Sequence, residues 1–116
     1  MFDDWFNSRR VEVPTITRNA AQQAEVDAAT AGLALYHYDS CGFCRRVRAA
    51  IEALGLDIEL RNVMEDRAHY QELLTHGGRT TVPCLRIGKT DPATADWMYE
   101  SADIIAYLVE RFGVTP

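Results

Sequence analysis

The sequence has no apolar run long enough to cross a bilayer, and no apolar stretch follows its acidic start, Met1-Phe2-Asp3-Asp4. A membrane helix needs about 20 predominantly apolar residues, and a secretory leader needs a basic start followed by an apolar core. The expectation is a cytoplasmic domain with no membrane partner. Basic charge is also in short supply: 12 Lys and Arg stand against 17 Asp and Glu, for a net charge of −5. That balance argues against nucleic acid and against anionic lipid surfaces as partners. Cysteine is scarce, with only Cys41, Cys44 and Cys84. An odd, low count does not build the disulfide framework of a small secreted scaffold. Repeats and low-complexity tracts are missing too. What remains is 116 residues, 47% of them hydrophobic, enough for one principal core.

Residues 1–32 read as an N-terminal extension. Met1 to Thr17 has no clear period and is broken by Pro14, whereas Ala20 to Ala31 is rich in Ala, Gln and Glu and predicts a short helix or arm. From Leu33 to Pro116 the signals belong to a single domain. Leu33 to Tyr38 is a short, mostly apolar run, as in a buried strand. Val47, Ile51 and Leu54 then share one helical face, and Gly55 ends that helix. Ile58 to Val63 alternates as a strand does. Asp66 is placed to cap a second helix with Tyr70, Leu73 and Leu74 facing inward, stopped by Gly77-Gly78. Thr81 to Ile87 and Trp97 to Tyr99 predict two strands of a hairpin. Ser101 suits the cap of a last helix whose stripe is Ile104, Ile105, Leu108, Val109 and Phe112, closed by Gly113. The order βαβ followed by ββα predicts an α/β fold: a mixed four-stranded sheet with helices on both faces, its first two strands parallel.

Cys41-Gly42-Phe43-Cys44 falls where the first strand hands over to the first helix of this domain. Unpaired N–H groups at a helix N-terminus carry partial positive charge and favour a thiolate over a thiol. The thiolate is the nucleophile of disulfide exchange. Cys41 is therefore the expected attacking sulfur. Cys44, one turn later, is the expected resolving thiol, and the turn is expected to expose both. A zinc site is the competing reading, but only His37 and Cys84 stand ready to complete four ligands, and neither belongs to a second close pair. Pro83 follows Thr81-Val82 at the mouth of a strand. With a cis bond it would turn the Val82 backbone outward to pair with an extended ligand; otherwise it is an ordinary edge-strand proline. Cys84 reads as a packed, inert thiol. His69 and His76 read as surface residues.

Taken together, Cys41-Gly42-Phe43-Cys44, Thr81-Val82-Pro83 and Tyr99-Glu100-Ser101-Ala102-Asp103-Ile104 resemble, in order and spacing, a glutaredoxin of the thioredoxin-like superfamily. The last segment also resembles the N-terminal domain of glutathione transferases. The resemblance implies a thioredoxin-like fold and a glutathione site. Cys41 would form the mixed disulfide, Val82 would offer its backbone to the cysteinyl part, and Pro83 would shape the groove. Glu100 and Ser101 would meet the γ-glutamyl ammonium and carboxylate, which suits an acid and a helix N-terminus; plain helix capping is the bland alternative. Tyr38 stands where many glutaredoxins carry a lysine for the glycine carboxylate, leaving that contact to Tyr38, Arg45 or Arg79. Gly42-Phe43 is similar to the Cys-Gly-Phe-Ser class, which holds a bridging [2Fe–2S] cluster with glutathione, although Cys44 replaces the serine.

Two functions follow as expectations. The first is a glutathione-dependent oxidoreductase acting on glutathionylated or disulfide-containing proteins as a monomer, with no metal. The alternative is a [2Fe–2S] carrier ligated through Cys41 and glutathione, dimeric when loaded. A conjugating transferase is disfavoured at this level because no all-helical second domain follows before Pro116.

Overall fold

The computed structural model describes residues 11–113. Asn19 opens the first helix, α1 (Ala20–Thr30). Its Oδ1 accepts the Gln22 N–H at 2.8 Å, while Gln22 Oε1 accepts the Asn19 N–H at 3.0 Å. This reciprocal pair is a capping box, which satisfies two otherwise orphan donors. Strand β1 (Leu33–His37) follows and is buried along its whole length. Helix α2 (Gly42–Ala53) leads to β2 (Glu59–Asn62). Helix α3 (Arg67–Glu72) widens into a π turn, Leu73–Gly77, before β3 (Cys84–Ile87), β4 (Asp96–Tyr99) and α4 (Ser101–Phe112).

The sheet order is β2-β1-β3-β4, with β1 and β2 parallel and β3 antiparallel to both β1 and β4. Burial follows the period-two alternation of β1. Leu33 and Leu35 face a core built with Val47 and Ile51 of α2, Leu54 that caps it, and Ile104, Ile105, Leu108 and Phe112 of α4. Ala34 and Tyr36 face the other side, with Val63, Leu73, Cys84 and Tyr99. The buried Tyr36 hydroxyl accepts from Arg61 at 2.9 Å and Arg86 at 3.4 Å and donates to Glu72 at 3.1 Å, so polar groups on that face are paired. Fold class and strand directions match the expectation: this is a thioredoxin-like α/β domain.

Three local expectations need correction. The strand expected from Thr81 begins only at Cys84, after a cis Val82–Pro83 bond, and Pro83 brings no N–H to a ladder. Tyr70 and Leu74 do not face inward: they are 38% and 45% exposed, and only Leu73 is buried. The regular helix stops at Glu72, and the wider π spacing that follows breaks the i, i+4 relation between Tyr70 and Leu74 that the apolar pattern assumes. Ser101 is the first helical residue of α4 rather than its cap; the cap is Glu100. Gly113 ends α4 as expected, but with φ −84° and not in the left-handed form that Gly55 takes at 64°.

Residues 11–32 are anchored chiefly by Arg18, with Gln23 Nε2 donating to the Gly55 carbonyl at 2.9 Å and the Ile16 N–H to the Ala53 carbonyl at 3.4 Å. Arg18 Nη1 donates to the Leu54 carbonyl at 2.7 Å, at the end of α2, and Nη2 donates to the Phe112 carbonyl at 3.0 Å, at the end of α4. A cation on two helix C-termini satisfies their orphan carbonyls and complements both dipoles. Val11, Val13, Ile16 and Val26 pack on the same core. Among the described residues no helix is long and apolar enough to cross a membrane. We expect Arg18→Ala to lower the unfolding free energy by about 2 kcal/mol, read from urea denaturation, with Arg18→Lys recovering part of the loss.

Candidate active site

The site begins where β1 ends. The chain leaves the sheet after His37, turns through Tyr38, Asp39 and Ser40, and enters α2 at Cys41. Cys41 is the N-cap, with φ −76° and ψ 118°, and its sulfur accepts the Cys44 N–H at 3.3 Å. The sulfur thus takes the place that a serine or aspartate oxygen usually fills at a helix start. A thiolate there faces the positive end of the helix dipole.

The turn does not expose the cysteines as expected. Cys41 is 9% exposed and Cys44 is wholly buried. Cys44 begins the inward face of α2 that continues through Val47, Ala50 and Ile51, so its side chain enters the core. Burial, helped by the hydrogen bond with Cys41, pushes the Cys44 thiol up to about 12. Cys84 is likewise buried, and burial pushes its thiol up to about 12. All three thiols are free. Among the described residues no three or more His, Cys, Asp or Glu side chains converge as metal ligands, so His37 and Cys84 do not complete a zinc set. For a [2Fe–2S] cluster the expected ligand from this chain was Cys41 alone, and no feature of the geometry favours that use over disulfide exchange.

A pocket of about 210 Å³ lies beside this turn, lined by Phe43, Thr81, Val82, Pro83, Glu100 and Ser101. Four residues singled out in the sequence, Val82, Pro83, Glu100 and Ser101, therefore meet in one cavity with Phe43 of the cysteine motif. Phe43 is 57% exposed and supplies the pocket's apolar lip. Tyr38 does not line the cavity; it is half-buried against the Cys84 and Tyr99 cluster. Arg79 lies over the Tyr99 ring at 4.2 Å, and its carbonyl accepts the Tyr99 hydroxyl at 3.0 Å. His69 is not simply a surface residue: it is partly buried between Asp66 and Glu72, edge-on to Tyr36. His76 is exposed and stacks near Trp97.

Glu100 is strained. Its φ of 74° and ψ of 114° lie where only glycine is comfortable, at a cost of roughly 1–3 kcal/mol. Buried Tyr99 before it and the Ile104 N–H bond to its carbonyl, 3.0 Å, hold it in place. Its carboxylate makes no capping bond to α4. Residues held this way cluster at ligand sites.

Sequence reasoning weighed His37 only as a zinc ligand and did not foresee its contact with Arg48 behind the turn. Arg48 Nη1 donates to His37 Nδ1 at 2.9 Å, and Arg48 also reaches the Tyr38 and Asp39 carbonyls. The only signal in the sequence was spacing: Arg48 follows Cys41 by seven residues, two helical turns, and so returns to the same side of α2.

A family model described as "Glutathione S-transferase, N-terminal domain" matches residues 35–116. The chain belongs to the glutathione S-transferase N-terminal domain family. Its match begins inside β1 and leaves out α1. An epsilon-class glutathione S-transferase from the housefly Musca domestica is similar, with 28% identity and a TM-score of 0.56 over 72% of this chain and 36% of that one. A glutathione transferase homologue from Drosophila mojavensis, solved with bound glutathione, shares 30% identity with a TM-score of 0.55, over 71% and 36%. A maleylacetoacetate isomerase from Anaeromyxobacter dehalogenans, with glutathione in its active site, shares 28% identity with a TM-score of 0.52, over 71% and 38%. This chain therefore spans little more than a third of the length of these relatives. No curated protein matches the sequence. Of the two resemblances read from the motifs, the transferase N-terminal domain is the one that the family model returns.

Two outcomes check this description. The buried His37 imidazole has its pKa lowered by burial and then by the Arg48 cation. The unfolded chain therefore binds the proton more readily than the folded one. Stability is full above about pH 6.5, the unfolded value, and falls as pH drops from there through the lower folded value. Urea midpoints of wild type should show this loss, and His37→Asn should remove that part of it. Glu100→Gly should raise the unfolding free energy by about 1 kcal/mol by relieving the positive φ, read from the same urea denaturation.

Proposed function

We propose that the chain binds glutathione in the pocket between α2 and α4 and uses Cys41 to reduce glutathione mixed disulfides. The observation that carries this is the placement of a cysteine sulfur at the N-terminus of α2, next to a cavity floored by the cis Val82–Pro83 segment and walled by Glu100 and Ser101. Family membership supports the ligand, since two relatives hold glutathione in their structures. The γ-glutamyl end carries an ammonium and a carboxylate. The free carboxylate of Glu100 suits the first, and the N–H groups that open α4 suit the second. Val82, in the bend before β3, offers its backbone to the cysteinyl unit.

The chemistry is two exchanges. The Cys41 thiolate attacks the glutathione sulfur of a mixed disulfide, the Cys41–glutathione disulfide forms, and the substrate leaves as its thiolate. A second glutathione thiolate then attacks that glutathione sulfur, releasing oxidised glutathione and restoring the Cys41 thiolate. The sum is one mixed disulfide and one glutathione converted to one thiol and one oxidised glutathione.

A second reading, transfer or isomerisation with glutathione as in the named relatives, is favoured by family membership. It does not require a cysteine at position 41. A glutathione-coupled assay on a glutathionylated peptide separates the two. Cys41→Ser should lose at least about 100-fold in turnover, as expected for a nucleophile, whereas Cys44→Ser should retain most of it. Activity that survives in Cys41→Ser, or conjugation of an electrophilic aryl halide unaffected by that substitution, would overturn the proposal in favour of the transferase reading.

A further inference from the structure

Three residues, Tyr38, Asp39 and Ser40, separate the end of β1 from Cys41. A turn of that length lets the sulfur wander unless something fixes it. From within, the Cys41 N–H donates to the Tyr38 carbonyl at 3.3 Å. The Cys44 N–H of α2 holds the sulfur itself at 3.3 Å, Asn62 Nδ2 of β2 donates to Asp39 Oδ1 at 3.5 Å, and one guanidinium of α2 ties down the backbone of the turn. Arg48 Nη1 donates to His37 Nδ1 at 2.9 Å and to the Tyr38 carbonyl at 3.4 Å, and Nη2 donates to the Asp39 carbonyl at 3.2 Å. A single planar group thus joins the last residue of β1 and the next two carbonyls to the second turn of the helix that Cys41 opens.

Arginine has no lone pair to offer, so His37 Nδ1 must be the acceptor and its proton must sit on Nε2. A protonated imidazole would lose the bond and set two cations together. Burial of His37 at 5% exposure keeps it neutral, and Asp39 is the one opposing charge beside it. The neutral histidine in turn sets the angle of the guanidinium.

The geometry points to Arg48 as a positioning residue for the Cys41 sulfur: oriented by neutral His37, it pins the 38–40 turn and so fixes the nucleophile over the N-terminus of α2. For its effect on turnover this rests on the disulfide-exchange reading above; for the pinning itself it does not. The pinning needs a fork of coplanar donors. Lysine keeps the charge but offers one nitrogen, which cannot reach acceptors spread along a turn. Arg48→Lys therefore separates geometry from charge.

The test uses the full chain and two measurements that do not depend on any substrate. In Arg48→Lys, amide hydrogen exchange at Cys41 should quicken about 10-fold, the equivalent of one charged hydrogen bond, while Val47 to Ile51 in the body of α2 keep their rates. Iodoacetamide alkylation of Cys41, located by mass spectrometry, should quicken as the sulfur leaves its capping position. His37→Asn, whose side-chain oxygen can stand where Nδ1 stood, should keep the protection, and His37→Leu should lose it. Glutathione-coupled turnover in Arg48→Lys should fall about 10-fold in kcat, with the KM for glutathione within about twofold. Unchanged Cys41 exchange in a folded Arg48→Lys protein would overturn the proposal, as would equal acceleration along all of α2. A wild type without disulfide turnover, combined with faster Cys41 exchange in Arg48→Lys, would overturn the proposed reaction and uphold the positioning role.

Discussion

The site depends on where α2 begins. A helix start offers several N–H groups with no partner inside the helix, and here the Cys41 sulfur takes one of them, the Cys44 N–H. That bond sets the sulfur's place, the exposure of Phe43 on the outside and the burial of Cys44 on the inside. Had α2 started one residue later, the motif would rotate by about 100°, Cys44 would leave the core and the sulfur would lose its donor. The start is held because Val47, Ala50 and Ile51 pack in one core with Leu33 and Leu35 of β1, and Cys44 is buried on the same helix. Packing of the helix therefore dictates the chemistry at its end.

The same logic joins the two helices. The N-termini of α2 and α4 open on one pocket, through Phe43 and Ser101, and their C-termini are gathered by one cation, Arg18. Two dipoles thus point their positive ends at the same small volume. An anionic sulfur and a carboxylate are the charges such an arrangement favours. Glu100 stands at the mouth as the one carboxylate lining the pocket, and its strained backbone keeps it there.

Local pattern made much of this legible. β1 announced itself as an apolar run, α2 and α4 by their apolar stripes, and the cysteine motif, Val82-Pro83 and Glu100-Ser101 by spacing. These features depend on near neighbours along the chain. What the sequence hid depends on residues far apart. Arg18 reaches carbonyls 36 and 94 positions away, Arg86 reaches Tyr36 from 50 positions away, and a lone arginine in a sequence carries no address. Leu74 misled because apolar spacing assumes a continuous α-helix, and a π turn breaks it. The positive φ of Glu100 was invisible because nothing about glutamate calls for it; the fold imposes it from both sides.

Burial of Cys44 bears on how the proposed cycle closes. With its thiol pushed up to about 12 by burial, Cys44 stays protonated at neutral pH and is a poor nucleophile. Once Cys41 is in a disulfide, the contribution of the Cys41 sulfur to that shift changes, but burial, the larger cause, stays. Glutathione in solution has an ordinary thiol and approaches from the open side, where Phe43 and the pocket lie. The second exchange is thus better served by an external thiol than by the neighbour in the motif. Cys44 then matters chiefly as packing: it is the first residue of the face that seats α2 on β1, and so part of what fixes Cys41 in place.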